Sequence, residues 1–232
     1  MATTILNIET STTMCSVSLA ADGVALVSRS INEGYSHAEK LAPFVDEVLK
    51  ESGLKPNQVD AIAVSQGPGS YTGLRIGVSL AKGLTYSLDK PLISVPTLQI
   101  MCLHPEVKKQ VNHYKDFVLC PMLDARRMEV YTGVYDIGLK TIQEVQPMIL
   151  DEHSFSDLLS KEGVLFFGNG SPKFKEILSK DSAYFVDDVW PCASDMVMLS
   201  QMKFDSNAFE NVAYFEPFYL KEFQGTTPKK LV

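Results

Sequence analysis

The chain has 232 residues, 45% hydrophobic and 21% charged, with 21 basic against 28 acidic side chains and a net charge of −7. A chain of this kind can bury one large core or two modest ones, which excludes wholesale disorder. The acidic balance disfavours autonomous gripping of a phosphate backbone, which calls for a basic surface. Cys15, Cys102, Cys120 and Cys192 are far apart and lack the C-x-x-C spacing of a zinc site or redox dithiol. No signal-like start is present, and no apolar stretch approaches the ~20 residues of a membrane span. Reduced thiols without an export signal point to a cytoplasmic protein.

In chain order, residues 4–8 open a strand, and Cys15, Val17 and Leu19 alternate with Ser16 and Ser18 at the period of a half-buried strand. Asp22-Gly23 then predicts a hairpin turn into residues 24–27, which completes an antiparallel meander. Ser36-His37-Ala38-Glu39 has the form of a capping box. The helix it predicts runs to Ser52, with Ala38, Leu41, Ala42, Val45, Val48 and Leu49 at helical spacing and Gly53 as its left-handed stop. The apolar run 60–65 reads as a strand buried on both faces. Gly67 then begins a turn into a helix over 72–88, followed by a strand at 92–95 and a helix over 97–109.

Three strands, helix, strand, helix, strand, helix is the topology of the ribonuclease-H-like half of actin-like proteins. From Asp116 the pattern restarts. Residues 117–120, 130–135 and 142–149 suggest a second meander, 163–167 a fourth strand, and 172–179 and 194–204 two helices. The expectation is a two-lobed α/β fold of the actin-like (ribonuclease-H-like) kind. Residues 1–109 would form the first lobe and 110–232 a smaller, degenerate second one, with helix 194–204 packing back on the first.

The chemistry begins with absences. Actin-like ATPases hold phosphates with glycine-rich hairpins, because only glycine lets backbone N–H groups approach the anion closely. The first hairpin here is Glu9-Thr10-Ser11-Thr12-Thr13 and the matching turn is Asp124-Ala125-Arg126-Arg127-Met128-Glu129, neither with a glycine. Gly168-Asn169-Gly170, between a strand and a helix, offers a weak nucleotide contact or simply a turn. His37, His104, His113 and His153 contain no helical i, i+4 pair, so no metal site is expected. No cofactor is expected either.

Gly67-Pro68-Gly69-Ser70-Tyr71-Thr72-Gly73 lacks the Gly-Lys-Ser/Thr ending of a phosphate loop and offers backbone shape instead. Pro68 stiffens a turn, Gly67 and Gly69 are free to take positive φ, and Ser70 or Thr72 can cap the helix. In that helix Thr72, Arg75, Ser79, Lys82 and Tyr86 form one polar stripe, and nearly everything else is apolar or small. Such a helix needs cover on more than one side, from its own domain or from a partner.

Ile8-Glu9-Thr10-Ser11, the full run from Gly67 to Gly77, Val95-Pro96-Thr97-Leu98, Asp124-Ala125-Arg126-Arg127-Met128-Glu129-Val130-Tyr131 and Pro217-Phe218-Tyr219-Leu220-Lys221 together closely resemble the TsaB family. The resemblance spans almost the whole chain. It implies a subunit needed to make threonylcarbamoyladenosine beside the anticodon of tRNAs that read codons beginning with adenosine. The family's catalytic relative, TsaD, carries a His-x-x-x-His metal pair; after Ile93-Ser94-Val95 this chain has Pro96 to Met101, with no histidine. The resemblance therefore implies a pseudo-enzyme that pairs with TsaD through helices of the first lobe, with the ATPase TsaE recruited to the complex and tRNA bound through it. The interface so implied comprises His37, Lys40 and Leu41 on the first helix and Leu74, Arg75, Val78, Ser79 and Lys82 on the second. Without the partner the same apolar flank is expected to form homodimers. The alternatives are an actin-like ATP-dependent enzyme, a glycoprotease-like metallopeptidase and a free-standing RNA-binding module.

Overall fold

The computed structural model describes residues 2–34, 36–113, 117–178 and 181–221. Strands β1 (Thr4–Glu9), β2 (Met14–Ala21) and β3 (Val24–Asn32) form the meander, with Asp22 and Gly23 both at positive φ as the two-residue turn demands. Helix α1 (His37–Ser52), strand β4 (Ala61–Gly67), helix α2 (Tyr71–Leu88) and strand β5 (Leu92–Pro96) follow. The sheet order is β3-β2-β1-β4-β5, antiparallel within the meander and parallel beyond it.

Two local expectations are corrected. Ser36 makes no side-chain cap on α1, and its hydroxyl is buried without a partner. Its backbone is already helical, with φ −78° and ψ −10°, whereas a capping serine needs the extended region to aim its oxygen at the next turn. The helix expected over 97–109 is two helices, α3 (Thr97–Cys102) and α4 (Pro105–His113). Pro105 has no N–H to give and its ring disfavours helical backbone at His104.

The second sheet contains β6 (Phe117–Asp124), β7 (Glu129–Tyr135), β8 (Thr141–Ile149), β9 (Gly163–Phe167) and β10 (Ala183–Val186) in the order β10-β9-β6-β7-β8. Read from its other edge, this repeats the first sheet strand for strand, so the chain is a duplicated ribonuclease-H-like unit, the actin-like arrangement. The sheet of the second lobe is complete; its degeneracy lies in the helices. Helices α5 (Ser156–Leu159) and α6 (Ser171–Ile177) have 4 and 7 residues where α1 and α2 have 16 and 18. Residue 179, the predicted end of α6, lies outside the described residues.

Alternation along the strands assigns the cores. Leu6, Ile8, Ile62 and Val64 face α1 and α2 and pack with Leu41, Val45, Val48, Val78 and Ala81. Ile5, Ala61, Ala63, Ile93 and Val95 face the other way, toward Met196, Leu199 and Phe204 around helix α7 (Val197–Asp205). Helix α3 sits between the sheets, sending Ile100 to the first and Leu98, Met101 and Cys102 to the second. Val107 of α4 also joins the second core. The second core thus begins with Leu98, while helix α7 and residues Val212 and Phe215 return to the first.

Candidate partner-docking site

The run from Gly67 to Gly77 meets the β1–β2 turn at van der Waals distance. Gly67 has φ +110°, a conformation closed to other side chains, whereas Gly69 keeps an ordinary φ. Ser70 is extended, and its Oγ accepts the Gly73 N–H at 3.3 Å, capping α2. Its own N–H donates to the Ser11 carbonyl at 2.6 Å, and the Thr10 hydroxyl donates to the Gly73 carbonyl at 2.8 Å. A Cβ at Gly69 or Gly73 would strike the carbonyl oxygens of Ser11 and Thr10, and one at Gly77 the Thr10 hydroxyl. The glycines therefore let the first hairpin sit directly on the start of α2.

This docking buries the first hairpin. Thr10 and Ser11 are buried, and the Ser11 N–H donates to the Glu9 carboxyl. Glu9 is itself fully buried with Oε2 unpartnered, and burial pushes its pKa up to about 7 against the hydrogen bonds from Ser11 and Ser65. The second hairpin is also bonded inward. The Ala125 N–H donates to Glu129 O, the Arg126 N–H to Asp124 Oδ1 and the Glu129 N–H to Arg126 O. Beside it, the Gly168-Asn169-Gly170 turn packs on β6, with Asn169 Oδ1 accepting the Asp124 N–H at 3.0 Å and the Gly170 N–H reaching Met122 O at 3.0 Å. Among the described residues no three His, Cys, Asp or Glu side chains cluster as metal ligands would, and no helix is long and apolar enough to cross a membrane.

Outside, the first turns of α1 and α2 border an open groove of about 660 Å³ lined by Ala38, Tyr71, Thr72, Arg75, Ile76 and Ser79. Arg75 and Ser79 from the expected interface lie here, and Lys40 is exposed on α1. Leu41, Leu74, Val78 and His37 do not contribute surface, which corrects their expected place. Leu41 and Val78 fill the core under the two helices, Leu74 is wholly buried, and His37 lies over the backbone of the hairpin, where burial lowers its pKa. Lys82 is taken by the chain's own C-terminal segment, donating to Ala213 O at 3.3 Å and Phe215 O at 3.0 Å.

Of that segment only Pro217 to Lys221 stood out in the sequence, through the family resemblance and without a structural role. From Ala208 to Lys221 it crosses the first lobe by backbone bonds, Glu210 N–H to Leu92 O at 2.8 Å and Phe218 N–H to Gln66 O at 2.7 Å. Tyr219 lays its ring 4.7 Å from that of Tyr71, and Lys221 pairs with Glu129 of the second lobe.

Fold and site define a two-lobed actin-like protein whose first hairpin is docked on its own helix, leaving a helix-bordered groove as its open feature. A family model described as "TsaD: tRNA N6-adenosine threonylcarbamoyltransferase" matches residues 34–231. The tRNA threonylcarbamoyladenosine biosynthesis protein TsaB of Bacillus subtilis is 31% identical over 181 residues, 75% of each chain. The protein of the same name from Escherichia coli K12 is 30% identical over 94% of each chain. A solved structure described as an uncharacterized protein with similarity to peptidase YEAZ, from Pseudomonas aeruginosa, superimposes with a TM-score of 0.81 at 26% identity, covering 94% of this chain and 100% of that one. The chain belongs to the TsaB family.

Proposed function

We propose that this chain serves the formation of threonylcarbamoyladenosine in tRNA as a non-catalytic subunit, docking a TsaD-like catalytic subunit and activating it. Its relatives from Bacillus subtilis and Escherichia coli are proteins of that biosynthesis. The observation that supports the non-catalytic part is the bond from the Thr10 hydroxyl to the Gly73 carbonyl, which seats the first hairpin on α2. A protein that has given this hairpin to internal packing has an actin-like frame to offer a partner rather than a nucleotide cradle of its own. The groove beside it, between two helices of the first lobe, is the docking surface in this proposal, and Arg75 and Ser79 are its central contacts. A TsaE-like ATPase joins the same cytoplasmic assembly, the assembly binds the tRNA, and the isolated chain pairs with itself through the groove.

Reconstitution of tRNA modification with and without this chain tests the proposal. Activity that needs the chain is expected, and full activity without it would overturn the role. Calorimetry with ATP and magnesium on the chain alone tests the alternative of an actin-like enzyme; micromolar binding would restore that alternative.

A further inference from the structure

Arg126 and Arg127, at the tip of the β6–β7 hairpin, both hold left-handed backbone, with φ 72° and 51°. For an arginine that conformation costs about 1 kcal/mol or more, and glycine or asparagine would relieve it. The turn is nevertheless fixed there. The Arg126 N–H donates to Asp124 Oδ1 at 2.6 Å, and Lys173 reaches the same carboxylate at 2.6 Å and the Glu129 carbonyl at 2.9 Å. Both arginines are exposed, and among the described residues neither guanidinium has an ion-pair or hydrogen-bond partner. Two unpaired cations are thus held on a strained tip that packing alone does not require.

The tip continues into a band. Lys221 pairs with Glu129, whose own N–H donates to the Arg126 carbonyl, so Lys221 lies against the base of this hairpin. From Lys221 the chain runs back two residues to Tyr219, whose ring is tilted 33° against that of Tyr71, and the Arg75 guanidinium lies 5.4 Å from the centre of the Tyr71 ring. Arginine, two tyrosines, lysine and two arginines therefore follow one another from the partner groove to the second hairpin, on a chain whose net charge is −7. Guanidinium forks match phosphate oxygens, and an exposed tyrosine ring such as that of Tyr219 stacks on an unpaired base.

We infer that Tyr219, Lys221, Arg126 and Arg127, beside the groove that takes the catalytic subunit, bind the sugar-phosphate backbone of the tRNA. The inference rests on the functional role proposed above and adds to it a direct RNA contact by this subunit. The alternation of cations with tyrosine rings favours RNA over an acidic protein, which has phosphate-like charge but no bases to stack.

The test uses the complex of the full chain with its TsaD-like partner and an in vitro transcribed tRNA, with fluorescence anisotropy read between 50 and 200 mM salt, a range over which phosphate contacts weaken by about a factor of ten or more. For R126Q/R127Q we expect Kd to rise roughly tenfold and the log–log salt slope to become shallower by about 1.5, as for two lost phosphate contacts. R126G/R127G should lose the same affinity while melting at a higher temperature, because glycine relieves the left-handed backbone. Unchanged Kd and salt slope in both variants would overturn the inference. So would weakened assembly of the two proteins with unchanged tRNA affinity, which assigns the arginines to a protein contact, or loss of ATP binding alone, which assigns them to a nucleotide. A wild-type complex that modifies tRNA while both variants bind RNA normally defeats only this inference. A chain dispensable for modification defeats the functional role and this inference with it.

Discussion

The Thr10 hydroxyl donates to the Gly73 carbonyl at 2.8 Å, and a Cβ on Gly73 would strike the Thr10 carbonyl. The two residues are 63 positions apart in the chain, and their contact joins the first hairpin to the helix that borders the groove. Gly73→Ala is therefore expected to destabilise the protein by about 1–3 kcal/mol, the cost of forcing a methyl group into a filled space. Gly83→Ala on the same helix provides the control, since nothing lies within 4 Å of a Cβ there. It should stabilise by roughly 0.5–1 kcal/mol through helix propensity. Urea unfolding of the two variants checks both signs.

Leu74 is fully buried, while Ser79, a turn further along α2, is exposed on the groove. Leu74→Ala should lose about 2–5 kcal/mol through the transfer and cavity terms together. Ser79→Ala should remain within about 0.5 kcal/mol of wild type, as for a surface change away from special contacts. Thermal melts of the isolated chain separate them; equal losses would mean that the groove face of α2 is packed rather than open.

Stability should also depend on pH through Glu9. Burial raises its folded pKa to about 7 from the 4.5 of an unperturbed glutamate, so between those values the folded state holds a proton that the unfolded state has released. The contribution is complete below about pH 4.5 and is lost as pH rises through 7. Burial shifts Asp195 in the same direction. His37, lowered by burial, acts oppositely, with a contribution lost as pH falls. Glu9→Gln removes only the first effect, so its melting temperature should gain on wild type from pH 5 to pH 8. A constant difference across that range would show that Glu9 does not carry a raised pKa in the folded protein.

Strand periodicity and Asp22-Gly23 made the first sheet legible, because the alternate residues of β1 and β4 face two different cores and those of β3 face a core and solvent. The register of the second sheet was harder to read. Strand β10 has only four residues and one buried side chain, too little for a period to emerge. The break at Pro105 was visible in principle, whereas the failed cap at Ser36 was not, since the backbone angle that defeats it is set by tertiary packing. At the site, helical spacing picked out the outward stripe of Thr72, Arg75 and Ser79 but could not say that Leu74 and Val78 are inward or that Lys82 is claimed by the C-terminal segment. A glycine's need for close approach lies in its neighbour, and Thr10 is nowhere near Gly73 in sequence. The left-handed arginines were hidden for the same reason, as a turn's φ is not carried by its residue types alone.

The central claim is that the groove bordered by α1 and α2 receives the TsaD-like subunit. Sedimentation velocity on an equimolar mixture of the two proteins tests it most directly, with the chain as wild type and as Ala38→Trp or Ser79→Trp, both filling the groove from exposed positions. We expect wild type to run as a single complex, and either variant, with its melting temperature unchanged, to run as separate components and to support at least tenfold less threonylcarbamoyladenosine formation. Full assembly and full modification with both tryptophans in place would contradict the claim.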